Sequence, residues 1–326
     1  MSNAYPCSQK RNPALWGLPD AVWPVSIFAI MPAPSPFDRR HFISTLLGAS
    51  AAAAVGANAK LTYKGENMRF GLVTYMWAAD WDLPTLIENC EKTETLGVEL
   101  RVEHAHKVEP ALNAAQREEV RKRFEDSPVE LLGMGTNFEF HAADPSALKK
   151  NIEGAKEYIK LSHDVGGSGV KVKPNNLPKE VPVEKTLEQI GKALAELADY
   201  STGFGQQIRL EVHGGVMDLG YIQKIMQVAD HPLVRVCWNS NDEDLKGDGI
   251  EANFAKVKDY LGATVHVREF NEGKYPYDKL AKLLVGEDYE GWVLMEARTK
   301  PADRVAALAE QRELFTKLVT AARQEA

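Results

Sequence analysis

The sequence predicts an α/β protein folded as a single (β/α)₈ barrel. Short apolar runs of strand length alternate with helical patterns through residues 68–320, which is typical of a parallel sheet covered by helices. Eight such units follow one another, and no change of composition marks a second domain. Residues 60–326 make 267 residues, close to the roughly 250 of one such barrel.

The first four units have clear strand and helix signals. Strands are predicted at 69–77, 98–104, 129–138 and 170–174. The helices between them keep their apolar residues three and four positions apart, as in the second helix, near 113–126. Asp144 followed by Pro145 indicates the start of the third helix, because Asp caps a helix and Pro suits its first turn.

The last four strands share one feature: each ends in polar residues. They are IRLEVHGG (208–215), VRVCWNSND (234–242), ATVHVREF (263–270) and GWVLMEARTK (291–300), with helices near 218–229, 251–260, 277–285 and 301–323. The carboxyl ends of parallel barrel strands meet at one mouth, where such polar residues would converge. Charged groups are costly to bury without a partner, so these strand ends predict a functional site.

Composition excludes several classes of protein. The formal net charge is −7 with a pI near 5.7, which argues against a nucleic-acid-binding protein, since that usually needs a basic face. The three cysteines, Cys7, Cys90 and Cys237, have neither zinc-knuckle spacing nor a disulfide pattern. Cys90 and Cys237 are expected to be small core residues.

The first 59 residues are predicted to be an amino-terminal extension that carries an export signal. Arg39-Arg40 precede an apolar, alanine-rich stretch and then Ala57-Asn58-Ala59, which resembles a twin-arginine signal with a cleavage site near Ala59. The apolar part is too short to span a bilayer stably. We therefore expect a periplasmic or other extracytoplasmic protein; the alternative is a disordered alanine-rich tail, and residues 1–30 match no pattern.

Glu211 and Glu296 are the candidate catalytic residues. They fall on the fifth and eighth strands, so both can reach one substrate at the mouth. Two carboxylates placed in this way can remove a proton next to a carbonyl and return it elsewhere, through an enediolate. The alternative is that each glutamate forms a salt bridge in the rim with Arg268 or Arg298.

His266, on the seventh strand, is a candidate metal ligand beside these glutamates. A divalent cation held by oxygen and imidazole ligands would stabilise an enediolate by polarising the substrate carbonyl. Mn²⁺, Mg²⁺ and Zn²⁺ all suit that role. The alternative for His266 is a neutral histidine bonded to a backbone carbonyl.

Other polar and aromatic residues near the strand ends are candidate substrate contacts. Lysines that point inward from the fourth strand, with arginines of the later loops, would suit a carboxylate, a phosphate or a polyol. The alternatives are pairing of those lysines with Glu99, Glu103 or Glu130, exposed loop histidines, and core packing for the aromatic residue. The candidates are His213, Lys173, Arg268, Arg298, Glu103, His104 and Trp77.

Several short segments carry a family resemblance over residues 68–320. They are GVEL at 97–100, LEVHG at 210–214, CWN at 237–239, the strand-seven histidine, and GW followed by Glu296. The chain resembles the sugar phosphate isomerase/epimerase group of xylose isomerase-like TIM barrels. The resemblance implies metal ligands at Glu211, Asn239, His266 and Glu296, with Asn239 in place of an aspartate. A neutral amide would weaken binding of a divalent cation.

The resemblance and the site together predict an isomerase or epimerase that acts on a sugar or polyol with the help of a metal. Two alternatives remain open: a lyase or dehydratase that acts on a keto-sugar at the same site, and a sugar-binding barrel without catalysis. In each case the expected partner is a small sugar or keto-sugar, not a nucleic acid. The oligomeric state is not predicted.

Overall fold

A computed structural model describes residues 64–325 of the chain. It contains eight parallel strands, which confirms the predicted barrel. The strands are β1 Arg69–Val73, β2 Gly97–Arg101, β3 Glu130–Glu139, β4 Gly169–Lys173, β5 Gln207–Glu211, β6 Val234–Cys237, β7 Thr264–Val267 and β8 Trp292–Met295.

A helix follows each strand, as the sequence predicts. The helices are α1 Leu83–Lys92, α2 Ala114–Glu125, α3 Pro145–Asp164, α4 Val183–Ser201, α5 Leu219–Ala229, α6 Ile250–Val257, α7 Tyr277–Gly286 and α8 Arg304–Glu325. Asp144 caps α3 as predicted, since its side chain accepts a hydrogen bond from Ser146 N at 3.0 Å. Within residues 64–325, no helix is both long and apolar enough to cross a membrane.

The sheet runs in the order β6-β5-β4-β3-β2-β1-β8-β7 and closes between β6 and β7. That closure, which we call the seam, is made by isolated pairings rather than by a continuous ladder. Its backbone bonds run from Gly262 N to Val236 O (2.9 Å), from His266 N to Trp238 O (2.7 Å) and from Ser240 N to His266 O (3.2 Å).

Apolar residues fill the space between strands and helices, and Cys90 and Cys237 are buried as expected. A second apolar cluster inside the barrel includes Leu132, Trp292 and Leu294. Further along the same inward positions, however, the side chains are charged: Glu99, Lys171, Arg209, Glu211, His266 and Glu296 are all buried. Except for Arg209, which bonds to Leu132 O and Ser168 Oγ near the amino ends of β3 and β4, these charged side chains lie toward the carboxyl ends of the strands.

Most strands end earlier than predicted, but β3 ends one residue later, at Glu139. β1 was expected to reach Trp77, but it ends at Val73, and Met76 begins a short 3₁₀ turn at a φ of 49°. The polar residues that follow β5 to β8 likewise belong to loops. The predicted export signal and its boundary at Ala59 lie outside the described residues.

Candidate active site

Three of the predicted ligands meet at the carboxyl end of the barrel. Glu211 is the last residue of β5, His266 lies within β7, and Glu296 follows β8. One potential ligand atom from each lies within 4.8 Å of the others. Glu211, His266 and Glu296 are 1%, 0% and 8% exposed. The described structure thus brings together the acid/base pair and the histidine that the sequence predicts.

Glu211 is held by two side chains, one on each carboxylate oxygen. Lys171 Nζ lies 2.7 Å from Oε2, and Asn239 Nδ2 donates to Oε1 at 2.7 Å. Burial disfavours the charged carboxylate, but the Lys171 ammonium and His266 outweigh it and hold the pKa of Glu211 well below its usual range. Glu211 is therefore ionised, and its salt bridge is with Lys171 rather than with Arg268 or Arg298.

Asn239 links the two carboxylates. Its Nδ2 donates to Glu211 Oε1 at 2.7 Å and to Glu296 Oε2 at 3.3 Å, while its Oδ1 is buried without a hydrogen-bond partner. Asp242, three residues on, is exposed and does not restore the missing negative charge. An amide donor thus stands between two carboxylates that would otherwise repel each other.

His266 lies between two glutamates. Its Nε2 is 3.4 Å from Glu99 Oε1 and its Nδ1 is 3.9 Å from Glu211 Oε1. Neither ring nitrogen has a hydrogen-bond partner among the described residues, so the alternative of a backbone-bonded histidine does not hold. Burial disfavours the charged ring, but Cys237 and the Glu99 carboxylate hold the pKa of His266 well above its usual range.

These residues fit a divalent cation. Asn239 Oδ1 and His266 Nδ1 are buried polar atoms without partners, which is unusual in a protein interior unless a ligand satisfies them. Glu99 faces the other nitrogen of His266, as carboxylates commonly do behind a metal-binding histidine. Glu211, His266 and Glu296 would hold the ion, and Asn239 would offer Oδ1 if its amide turned over.

Two predicted contacts line the mouth next to β4 and β5. His213 Nδ1 lies 2.5 Å from Asn175 Oδ1, and Asn175 donates in turn to Glu139. Lys173 is half-buried and has no ion pair in the described part of the chain. Burial and the neighbouring ammonium of Lys171 lower the pKa of Lys173. His213 and Lys173 remain predicted substrate contacts.

The two candidate residues in the loop after β2 differ in their exposure to solvent. Glu103 is exposed, and its backbone N–H donates to Glu109 Oε1 at 2.6 Å. His104 is half-buried beside Thr74 Oγ1 at 3.1 Å, and burial lowers the pKa of His104 to about 4. His104 is therefore neutral at physiological pH, while Glu103 points to solvent.

The remaining candidates, Trp77, Arg298 and Arg268, differ in burial and in their contacts. Trp77 is 2% exposed, packs in the apolar core and donates to the Thr299 carbonyl at 3.0 Å, which agrees with the core-packing alternative. Arg298 is exposed. Arg268 is half-buried with Nη2 3.5 Å from Asn241 Oδ1. Their predicted contacts with substrate remain predictions.

Two central residues were not among the predicted site residues: Glu99, and Lys171, which was considered only with Lys173 as an inward lysine of the fourth strand. The signal was present in the sequence, because GVELR and GVKVK place charged residues at the alternate positions of buried strands. Sequence alone offered Glu99 only as a partner for a lysine. Its position beside His266 depends on how β2 and β7, which are not neighbouring strands, face each other across the barrel interior.

The fold agrees with comparisons to known proteins. The sequence profile of the xylose isomerase-like TIM barrel family matches residues 87–318, and the chain belongs to that family. A search of curated protein sequences found no match.

Solved structures with the same fold include several named as sugar epimerases. An L-ribulose 3-epimerase has a TM-score of 0.68 at 15% identity, covering 79% of this chain and 96% of its own. The 3-keto-D-glucoside 4-epimerase of E. coli has a TM-score of 0.65 at 14% identity, covering 78% and 99%. The IOLI protein with a zinc atom has a TM-score of 0.67 at 15% identity, covering 78% and 99%. At these identities the likeness concerns the fold.

Proposed function

We propose that the protein is a sugar isomerase or epimerase that works by proton abstraction next to a carbonyl. The observation that carries this proposal is the convergence of two buried carboxylates, Glu211 and Glu296, on the single amide of Asn239. Related folds named as a ribulose and a keto-glucoside epimerase support a small sugar or keto-sugar as substrate.

Glu211 and Glu296 have different roles in the proposed reaction. Glu211, buried at the end of β5, takes the proton from the carbon beside the carbonyl. Glu296, on the other side of Asn239, returns a proton to the neighbouring carbon or to the opposite face. The low exposure of both groups excludes water and strengthens their contacts with substrate.

A divalent cation is part of this proposal. Glu211, His266 and Glu296 would hold Mn²⁺, Mg²⁺ or Zn²⁺, and the zinc in a protein of the same fold supports a metal here. When bound, the cation would polarise the substrate carbonyl and share the negative charge of the enediolate.

Deuterium exchange tests the proposed reaction. The protein is incubated in D₂O with ketoses and keto-glycosides, with and without each metal, and NMR follows exchange of the carbon-bound proton. We expect exchange with at least one substrate. Exchange with elimination of a β-substituent would identify the lyase alternative instead, and absence of exchange with every substrate would favour the sugar-binding alternative.

Two variants test the acid/base pair. Glu211→Gln and Glu296→Gln should each lower the exchange rate by about 10²–10⁴-fold, because each loses a group that moves a proton. Glu118→Gln on the exposed surface of α2 is the matched control and should exchange at the wild-type rate. Full activity in either site variant would contradict the two-base mechanism.

We also propose that the chain is exported by its twin-arginine motif. Replacing Arg39 and Arg40 by lysine keeps the charge but removes the arginine pair. The variant should stay in the cytoplasm while the wild-type protein reaches the periplasm, as measured by cell fractionation. Equal export of both would show that the motif is not the signal.

A further inference from the structure

The mechanism above does not use Lys171, although its ammonium reaches the centre of the site. Lys171 projects from β4 into the barrel and is 1% exposed. Its backbone carbonyl accepts a hydrogen bond from Thr136 Oγ1 at 2.7 Å, which fixes the strand at this point. Its Nζ lies 2.7 Å from Glu211 Oε2, on the side of the carboxylate away from Asn239.

A buried ion pair of this kind changes the charge that the site presents to a metal. Glu211 already has a full positive charge at hydrogen-bond distance, and Asn239 donates to the second oxygen. Glu296 also receives its contact from Asn239. The two carboxylates are thus held by an ammonium and an amide, with no need of a divalent cation to offset their repulsion.

We propose that Lys171, together with Asn239, is a built-in counter-charge that holds the acid/base pair in place and competes with a divalent cation for Glu211. Lys171 is a positioning residue, because it acts through Glu211. The metal therefore binds weakly to the wild-type protein, and the apo site keeps its arrangement. This inference deepens the proposed function, but it concerns metal affinity and can be tested without any substrate.

The test compares two buried cations of the barrel interior. Lys171→Met removes the ammonium beside Glu211. Arg209→Met is the matched control, because Arg209 is also fully buried but bonds to Leu132 O at 2.8 Å and Ser168 Oγ at 2.7 Å, away from the candidate ligands. Binding of Mn²⁺ is measured by titration calorimetry, and thermal unfolding is measured with and without Mn²⁺.

Lys171→Met should lower the midpoint of unfolding in the absence of metal, since it leaves Glu211 unpaired. It should also bind Mn²⁺ at least about tenfold more tightly than the wild type, and Mn²⁺ should restore much of its lost stability. Arg209→Met should lose stability without any gain in Mn²⁺ affinity. Equal Mn²⁺ affinity in wild type and Lys171→Met, or an equal gain in Arg209→Met, would overturn the proposal.

Lys171→Gln keeps the proposal testable if Lys171→Met does not fold, since it also removes the ammonium and should bind Mn²⁺ at least about tenfold more tightly than the wild type. Asn239→Asp tests the part of the amide. The added carboxylate replaces a hydrogen-bond donor between Glu211 and Glu296 by a third negative charge. This variant should therefore bind Mn²⁺ at least about tenfold more tightly than the wild type. Unchanged affinity would show that Asn239 is not part of the counter-charge. A gain in Mn²⁺ affinity in the Lys171 variants, with no deuterium exchange by the wild type on any sugar, would uphold this inference and reject the proposed function.

Discussion

Asp244 is a buried carboxylate in the loop after β6, close to the site but not part of it. Its Oδ2 accepts hydrogen bonds from Tyr275 Oη at 2.6 Å and Asn241 N at 2.9 Å, while Oδ1 is buried without a partner. Burial raises the pKa of Asp244 to about 7, although the Tyr275 hydroxyl and the Asn241 amide oppose this. A protonated Asp244 is therefore favoured by folding.

This shift predicts a pH dependence of stability. The folded state binds the proton more tightly than the unfolded chain, so the contribution of Asp244 is fully present below pH 4 and is lost as the pH rises to about 7. The loss is at most about 4 kcal/mol. Asp244→Asn mimics the protonated form, so its free energy of unfolding should exceed that of the wild type at pH 8 and match it near pH 4.

Denaturant unfolding at a series of pH values measures this difference. Asp242→Asn, in the same loop but exposed, is the control and should follow the wild type at every pH. A constant difference between Asp244→Asn and wild type from pH 4 to pH 8 would show that Asp244 does not titrate in this range.

The Glu99 carboxylate lies against a glycine of β3, where a side chain would collide with it. Gly135 on β3 pairs with Arg101 on β2, and a Cβ built on Gly135 would lie 2.6 Å from Glu99 Oε1. Glu99 is in turn the neighbour of His266 Nε2. The absence of a side chain at one position of β3 therefore leaves room for the carboxylate that faces the histidine.

Gly135→Ala should push Glu99 out of its position and destabilise the fold by about 1–3 kcal/mol, since the interior cannot absorb an added methyl group. Denaturant unfolding gives the stability, and NMR of the His266 ring gives its change of environment. Gly203→Ala, where the new methyl meets nothing within 4 Å, should leave both unchanged. An unshifted His266 signal in Gly135→Ala would contradict this account of Glu99.

The elements themselves could be predicted from sequence because their signals are local. Apolar spacing and the Asp144-Pro145 start of α3 do not depend on distant parts of the chain. The partners of Glu211 could not be predicted in this way. Alternation directs Lys171 into the barrel, and it gives the same direction to Arg268 and Arg298, which follow their strands. Which of these cations reaches Glu211 depends on the register of neighbouring strands and on the course of the loops.

The candidate site spans the seam of the barrel. Glu211 belongs to β5 and Asn239 follows β6, on one side of the seam, while His266 belongs to β7 and Glu296 follows β8, on the other. The sequence predicted these four residues together, but it could not show that the closure between β6 and β7 is the weakest of the sheet. A ligand that binds all of them would join the two sides.

Hydrogen exchange should therefore show the seam opening before the rest of the sheet. The amides of Gly262 and His266 close the seam through isolated pairings, whereas β4 and β5 are joined by a ladder that includes Val170 and Leu210. Local opening costs least where few backbone bonds must break, so the seam amides should exchange faster than those of β4 and β5. Saturating Mn²⁺ should slow exchange at the seam, because the ion would bind only to the folded, closed form. Equal protection at both places, or no effect of Mn²⁺ at the seam, would show that closure of the barrel and binding at the site are independent.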